Sequence, residues 1–196
     1  MRHFLKLLCA MSLFSAAAQC TVITFDDLNG NSPTAIPSNY QGLTWDAGWN
    51  VWTGGGNPDY NPHSPPNLAY FNSANDLGFT FPAATIFDGA WFSGPPGIST
   101  VSFELFLGGV LQATSASVAV EPTPEFLSSG YAGPVDRVEI NLTGTVFNGL
   151  FDWTVDDITY GAVGSVPEPS TLAYLCTAAT AALTVRRRSQ ATPPLL

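Results

Sequence analysis

Positively charged residues are scarce in this sequence. Its 196 residues include six lysines and arginines against fifteen aspartates and glutamates, which gives a formal net charge of −9. Five of these cations lie near the chain ends, and Arg137 is the only one between residues 21 and 165. Binding to a phosphate backbone requires clustered lysine and arginine side chains. The shortage excludes nucleic acid as a partner and favours neutral molecules or divalent cations.

Cysteine is also nearly absent. The three cysteines are Cys9, Cys20 and Cys176, which leaves the segment from 21 to 163 without one. That segment can form no internal disulfide, and no spacing typical of zinc binding or thiol redox chemistry occurs. Its stability must therefore come from its own apolar core or from a bound metal ion.

The apolar run at the N-terminus is too short for a membrane helix, which needs about 20 residues. Residues 1–20 contain two cations, an apolar run over 7–14, and small residues at 15–18. This order is typical of a secretory signal peptide, with cleavage after residue 18 or, alternatively, after Cys20. We therefore predict a signal peptide over residues 1–20 and export of the remainder.

Sustained helical periodicity is missing between residues 21 and 163. Short runs of alternating apolar and polar residues recur there, separated by glycine, proline and asparagine. Gly108 and Gly109 separate two such runs and predict a two-residue hairpin turn. Residues 135–142 alternate as a strand with one buried face does. Eight or more short strands predict an all-β domain over 21–163, an antiparallel β-sandwich of the jelly-roll type.

Two pairs of adjacent aspartates interrupt the first and last predicted strands. They are Asp26 with Asp27, and Asp156 with Asp157. The first and last strands of a jelly roll commonly lie close together, so the four carboxylates could share one site. Calcium takes about six to eight oxygen ligands, and burial of unpaired carboxylates is costly. The preferred interpretation is that these aspartates lie at strand ends or bulges and accept hydrogen bonds from turn amides. The alternative is a structural calcium site formed by the four aspartates, with Asp26 and Asp157 as direct ligands.

Aromatic and polar residues are concentrated around His63, the only histidine between residues 21 and 163. Aromatic faces beside amides and carboxylates are typical of sugar-binding surfaces. The alternative is that the tryptophans belong to the core and that the Asn- and Pro-rich segment is an ordinary loop. The candidate ligand-binding residues are Trp49, Trp52, Asp59, Tyr60, His63 and Tyr70.

The C-terminal segment combines a proline-flanked glutamate, an apolar stretch and an arginine cluster. The apolar stretch, residues 171–185, spans about 22 Å of a hydrocarbon core that is about 30 Å thick, which makes a weak permanent anchor. This order of features resembles the PEP-CTERM sorting signal of Gram-negative bacteria. We therefore predict a sorting signal over residues 164–190 and a tail over 191–196. The residues that carry the resemblance are Val166, Pro167, Glu168, Pro169 and Ser170, followed by Arg186, Arg187 and Arg188.

The resemblance implies a route through the cell. It implies export by the Sec pathway, transient retention in the inner membrane, and processing by an exosortase near residues 167–169. It further implies delivery to the cell surface or to an extracellular matrix such as a biofilm. The segment from 22 to 160 is similar to the jelly-roll domains that often precede this signal, some of which are similar to carbohydrate-binding modules.

Catalysis has little support in the sequence, because no nucleophile motif such as G-x-S-x-G occurs. We predict a non-catalytic, exported surface or matrix protein with polysaccharide as its partner. One alternative is a secreted enzyme that acts on extracellular polysaccharide through the aspartate pairs or the His63 loop. The other is a structural coat protein without a ligand.

Overall fold

The computed structural model covers the predicted β domain. The chain divides into two compact units, 1–163 and 164–196, and every described residue belongs to the first. Residues 1–19, the PEP motif and the arginine cluster therefore lie outside the described part. Within that part, no helix is long and apolar enough to cross a membrane. The described residues are 20–31, 34–54, 57–71, 77–97, 99–144 and 153–163.

The described residues are predominantly β-strand, with about 59% of them in strands and about 2% in helix. Within the described residues, the single helical element is a 3₁₀ turn at Tyr40–Gly42. The strands are β1 Cys20–Ile23, β2 Thr34–Ala35, β3 Thr44–Trp45, β4 Trp49–Thr53, β5 Asn67–Phe71, β6 Leu77–Ser93, β7 Ser99–Leu107, β8 Val110–Thr114, β9 Val118–Ala119, β10 Glu125–Ser128, β11 Val135–Gly144 and β12 Thr154–Ala162.

All described strand pairs are antiparallel. The main order of the sheet is β2-β4-β5-β12-β6-β11-β7-β8. Four short strands pair outside this order: β1 with β12, β9 with β7, and both β3 and β10 with β6. The prediction of an all-β, antiparallel domain is therefore confirmed. The predicted proximity of the first and last strands is confirmed as well, because β1 pairs with β12.

The long strand β6 joins two parts of the sheet. Its first residues, 77–80, pair with β3 and β11, whereas residues 85–93 pair with β12, and residues 89–92 also pair with β10. The apolar runs at residues 78–81 and 88–92 predict two separate strands, whereas the structure has one continuous strand. In the structure Pro82 is exposed where the β6–β11 register shifts, so its missing N–H interrupts no ladder bond.

One apolar cluster forms the core, with contributions from both parts of the sheet. In β7 the buried residues alternate with partly buried ones, and Val101, Phe103 and Leu105 are fully buried. In β11 the alternation predicts Val138, Ile140 and Leu142 on the inner face. Val138 and Ile140 are buried, and Leu142 is partly buried against the core. The β domain therefore holds together by its own core, as expected for a segment without a disulfide.

Candidate functional site

Asp156 and Asp157 lie in β12, at the point where the strand that pairs with one edge of β12 changes from β5 to β1. Before them β12 pairs with β5 through Thr154 and Val155, and after them it pairs with β1 from Ile158 onward. The register with β6 also shifts between Asp156 and Thr159, and Asp157 has a φ of +47°. The two aspartates therefore occupy a gap between β5 and β1, which we call the junction.

The junction carboxylates are buried and hold the chain that precedes β5. Asp156 and Asp157 are 3% and 8% exposed. The Ser64 N–H donates to Asp156 Oδ2 over 2.8 Å, and the Ser64 hydroxyl donates to Asp157 Oδ1 over 2.6 Å. His63 Nδ1 lies 2.5 Å from Asp157 Oδ2. Both carboxylates therefore contact the same segment of the chain, residues 63–64.

The first aspartate pair is divided between two environments. Asp26 Oδ1 accepts a hydrogen bond from the backbone N–H of Asn67, at the first residue of β5, over 3.0 Å. Asp27 instead accepts hydrogen bonds from the Tyr40 hydroxyl and the Gln41 amide. The structure thus directs Asp26 toward the junction, where its charge acts on Asp156, and directs Asp27 toward the 3₁₀ turn.

Burial is the main influence on the pKa of Asp156. Desolvation raises the pKa of Asp156 to about 7, and the nearby charges of Asp157 and Asp26 act in the same direction. The backbone N–H groups of Ser64 and Asp157 oppose this shift, because they stabilise the charged form. The pKa of Asp156 is therefore close to neutral pH although the side chain is a carboxylate.

Hydrogen bonds from the protein engage the aspartates that were predicted to bind calcium. Among the residues that the structure describes, no group of three or more His, Cys, Asp or Glu side chains is placed to hold a metal ion. No buried side-chain nitrogen or oxygen among them lacks a hydrogen-bond partner. The observed bonds to Ser64 and Asn67 match the preferred interpretation, in which the carboxylates accept backbone amides. Calcium at Asp26, Asp27, Asp156 and Asp157 stays a prediction.

The segment of residues 57–66, which we call the strap, is tied down at several points. Ser93 Oγ donates to the Asn61 carbonyl over 2.7 Å, and the Asn61 amide donates to the Pro122 carbonyl over 2.8 Å. At its end, the Gly54 N–H donates to the Pro66 carbonyl over 2.8 Å. The strap is therefore held against β6 and against the loop that precedes β10.

Most of the aromatic residues predicted to contact a ligand are in the interior. Trp49, Tyr60 and Tyr70 are each no more than 2% exposed, so they cannot present a ring face to a sugar. Trp49 packs edge-on against Trp45 and Trp153. The physical reason is that large apolar rings in strands are usually buried in the core.

Of the other predicted ligand residues, only His63 is exposed. Trp52 is half-buried and packs edge-on against Tyr60, with ring centroids 6.1 Å apart. Asp59 is half-buried within the strap. The predicted six-residue set therefore does not form one surface.

A different row of rings lies at the surface, formed by His63, Trp91 and Phe126. The His63 ring stacks on Trp91, with centroids 3.6 Å apart and planes inclined by 10°. On β10, Phe126 pairs directly with Trp91 of β6, and their centroids are 5.5 Å apart. Phe126 is 40% exposed. Trp91 and Phe126 were not among the ligand residues predicted from the sequence, because no local pattern distinguishes them from buried aromatic residues in strands.

The only cation of the β domain is already paired. Arg137 donates two hydrogen bonds to the Asp46 carboxylate, of 3.1 and 2.7 Å, and a third of 2.7 Å to Glu139. These bonds raise the pKa of Arg137 above its usual value. Arg137 therefore contributes to the fold and makes no contact with the junction aspartates among the bonds observed.

Comparison with known proteins identifies no family. No protein family model matches the chain, and no curated protein matches it significantly.

Several solved structures resemble this chain remotely. A family 29 carbohydrate-binding module has a TM-score of 0.39 and 9% identity, over 74% of this chain and 90% of that chain. TmCBM61, in complex with β-1,4-galactotriose, has a TM-score of 0.36 and 16% identity, over 62% and 87%. A DUF4465 family protein from Bacteroides ovatus has a TM-score of 0.40 and 11% identity, over 73% and 94%. Similarities at this level do not extend to a ligand or a site.

Proposed function

We propose that this chain is a non-catalytic, exported protein of the cell surface or extracellular matrix, and that its β domain, a jelly-roll sandwich, binds polysaccharide. The route rests on the signal-peptide pattern of residues 1–20 and on the resemblance of residues 166–188 to a PEP-CTERM signal. That resemblance supports an exosortase as the processing partner and a transient stay in the inner membrane.

The observation that carries the binding proposal is the surface row of His63, Trp91 and Phe126. Exposed aromatic rings offer apolar faces to the C–H groups of a sugar ring, and polar side chains nearby can pair with its hydroxyls. Phe126 is one of only a few large apolar side chains exposed in the described residues. Single exposed apolar residues are common on protein surfaces. Phe126 differs because it lies in a row with two other rings.

The arrangement of His63, Ser64 and Asp157 supports a structural role over catalysis. A serine nucleophile requires a base that accepts its proton. Here the Ser64 hydroxyl donates to Asp157 Oδ1, and His63 Nδ1 contacts Oδ2 of the same carboxylate. Both groups therefore hold the strap to β12, and the serine proton is directed to a carboxylate and not to the imidazole.

The binding proposal is tested with the mature protein recovered from producing cells. We expect it to sediment with at least one insoluble polysaccharide from a panel that includes the native matrix, without release of reducing sugar. Sugar release that disappears in Asp156→Asn would instead establish the enzyme alternative. Self-association without retention by any glycan would establish the coat-protein alternative.

The sorting proposal is tested by the intact mass of protein from native cells and from their extracellular material. We expect a mass that lacks the first 18 to 20 residues and everything beyond about residue 169. Trypsin has only Arg137 to cleave between residues 21 and 165, so intact mass is more informative than peptide mapping. A species that retains residues 171–196 and occurs only in membranes would contradict the sorting proposal.

A further inference from the structure

The exposed face of Phe126 depends on a glycine in the neighbouring strand. A Cβ atom placed on Gly89 of β6 would lie 2.8 Å from Phe126 Cζ and 2.1 Å from the Leu127 carbonyl oxygen. The tip of the Phe126 ring therefore lies over Gly89, in the space that a side chain would otherwise fill. Phe126 is still 40% exposed, so part of its ring is open to solvent.

Neighbouring rings support Phe126 from the side. Trp91 lies between Phe126 and His63 in the row, and the His63 ring covers one face of Trp91. His63 is in turn fixed by Asp157. Of the three rings, Trp91 is thus enclosed on two sides, whereas Phe126 and His63 remain open to a ligand.

The charges near this surface are negative. Asp157 lies 2.5 Å from His63 of the row, and acids outnumber lysine and arginine by fourteen to one between residues 21 and 165. Arg137 is the only lysine or arginine between residues 21 and 165, and it is occupied by Asp46 and Glu139. A polysaccharide that carries carboxylates would find no free guanidinium or ammonium group in the described domain, and the surrounding acids would repel it.

We propose that Phe126, supported by Trp91 and His63, is the stacking surface of the polysaccharide site, and that this site selects uncharged over anionic chains. This inference rests on the proposed function and specifies both the contact residue and the class of glycan. The competing explanation is that Phe126 only covers Gly89, as aromatic residues do for glycines in sheets.

The test compares Phe126→Leu with Phe126→Tyr in the full mature protein. Leucine has no flat ring, whereas tyrosine keeps it, and binding separates stacking from covering because a ring that only covers Gly89 can be lost without a change in affinity. Leu111→Ala, at a residue that is 48% exposed on β8, is the matched control for loss of surface apolar area. The probes are cellulose, β-1,4-galactan and β-1,3-glucan, each neutral and after oxidation of its primary alcohols to carboxylates where present.

We expect Phe126→Leu to bind the neutral polymer about tenfold more weakly than the wild type, which corresponds to about 1.4 kcal/mol. Phe126→Tyr and Leu111→Ala should bind like the wild type, and the oxidised polymer should bind at least about tenfold more weakly than its neutral form. Melting temperatures establish that each variant is folded.

Two results would overturn this inference and leave the proposed function intact. One is wild-type binding by Phe126→Leu, which would place the site elsewhere. The other is equal binding of neutral and oxidised polymers, which would remove the charge selection. Failure of the wild type to bind any polymer, native matrix included, would overturn the inference together with the proposed function.

Discussion

Nδ1 of His63 lies 2.5 Å from Oδ2 of Asp157, although 94 residues separate them in the chain. The contact joins the strap to the central strand β12 at the junction between β5 and β1. The Asp157 side chain is 11% exposed and that of His63 39% exposed, so the pair is only partly screened by solvent. Its contribution belongs to the stability of the strap.

A double-mutant cycle with His63→Ala and Asp157→Asn measures this contact. We expect a coupling energy of about 1 kcal/mol, because a hydrogen-bonded pair that is half-open to solvent is usually worth no more. Urea unfolding of the wild type, both single variants and the double variant provides the value. The matched control pairs His63→Ala with Asp136→Asn, whose carboxylate accepts a bond from Gly108. That cycle should give no coupling, and equal values in both cycles would contradict the role of the contact.

The free energy of unfolding should depend on pH, because burial raises the pKa of the Asp156 carboxyl. Its pKa is raised from 3.8 to about 7 in the folded protein, so between these values the folded state binds a proton that the unfolded state lacks. The contribution of this group to the free energy of unfolding is therefore fully present below about pH 4 and declines as the pH rises to about 7. The upper bound is about 4 kcal/mol, at about 1.4 kcal/mol per pH unit.

Urea unfolding of the wild type and Asp156→Asn between pH 4 and 8 isolates this contribution. Asparagine cannot ionise, so the difference in free energy between the two proteins should change across that range, although asparagine also loses one acceptor for Ser64. A constant difference would show that Asp156 keeps an ordinary pKa in the folded state. Asp136→Asn, at a carboxylate near the surface, is the control and should follow the wild-type profile.

Local chemistry explains the parts of the fold that the sequence predicted. Gly108 and Gly109 form the two-residue turn between β7 and β8 with φ values of +59° and +75°, as primed hairpin turns require. The alternation in residues 135–142 likewise predicted the buried face of β11. Both patterns are contained within about ten residues, so no knowledge of distant contacts is needed.

The strand breaks were harder to predict because they depend on pairing. The apolar pattern of residues 43–52 alone predicts one strand. In the structure the chain turns after Trp45, where the Asp46 N–H donates to the Gly78 carbonyl and Gly48 has a φ of +110°. The segment 110–118 likewise divides after β8, where Ser115 exchanges bonds with Phe103. Neither break is visible in the apolar pattern alone.

The candidate site depends on long-range register and was predicted only in part. An aromatic residue in a strand has the same local pattern whether its ring is buried, as for Tyr70, or exposed, as for Phe126. Only the pairing of Phe126 with Trp91 places their rings together. The proximity of Asp26 to Asp156 was predictable, because it follows from the first and last strands being neighbours.

Replacement of Gly89 by alanine should destabilise the domain strongly. The new Cβ would lie 2.1 Å from the Leu127 carbonyl oxygen, and that backbone belongs to β10, which pairs with β6 at this point. Gly130→Ala is the matched control, since Gly130 also has a positive φ but has nothing within 4 Å of the added carbon. We expect thermal or urea unfolding to show a loss about 2 kcal/mol larger for Gly89→Ala. Equal losses would mean that backbone conformation alone requires the glycine.

Removal of calcium should leave the stability unchanged. Asp156 and Asp26 already accept hydrogen bonds from Ser64 and Asn67. Protonation of Asp156, whose pKa is raised to about 7, relieves the remaining cost of its burial without a cation. A resident ion at 100 times its Kd would add about 2.7 kcal/mol, which is a shift of several degrees in Tm. We therefore expect the same Tm in EDTA and in millimolar CaCl₂. A calcium-dependent rise in Tm that Asp26→Asn abolishes would instead support the calcium site predicted from the sequence.

The geometry of the Arg137–Asp46 pair predicts that lysine at position 137 would restore only part of the stability that arginine provides. The guanidinium donates two parallel bonds to the Asp46 carboxylate, which also accepts the Gly78 N–H over 2.8 Å. An ammonium group retains the charge but not the planar fork. We expect Arg137→Gln to lower the free energy of urea unfolding by about 1–2 kcal/mol and Arg137→Lys by about half as much. If both variants unfold like the wild type, the pair contributes nothing, and if lysine fully restores stability, charge alone is sufficient.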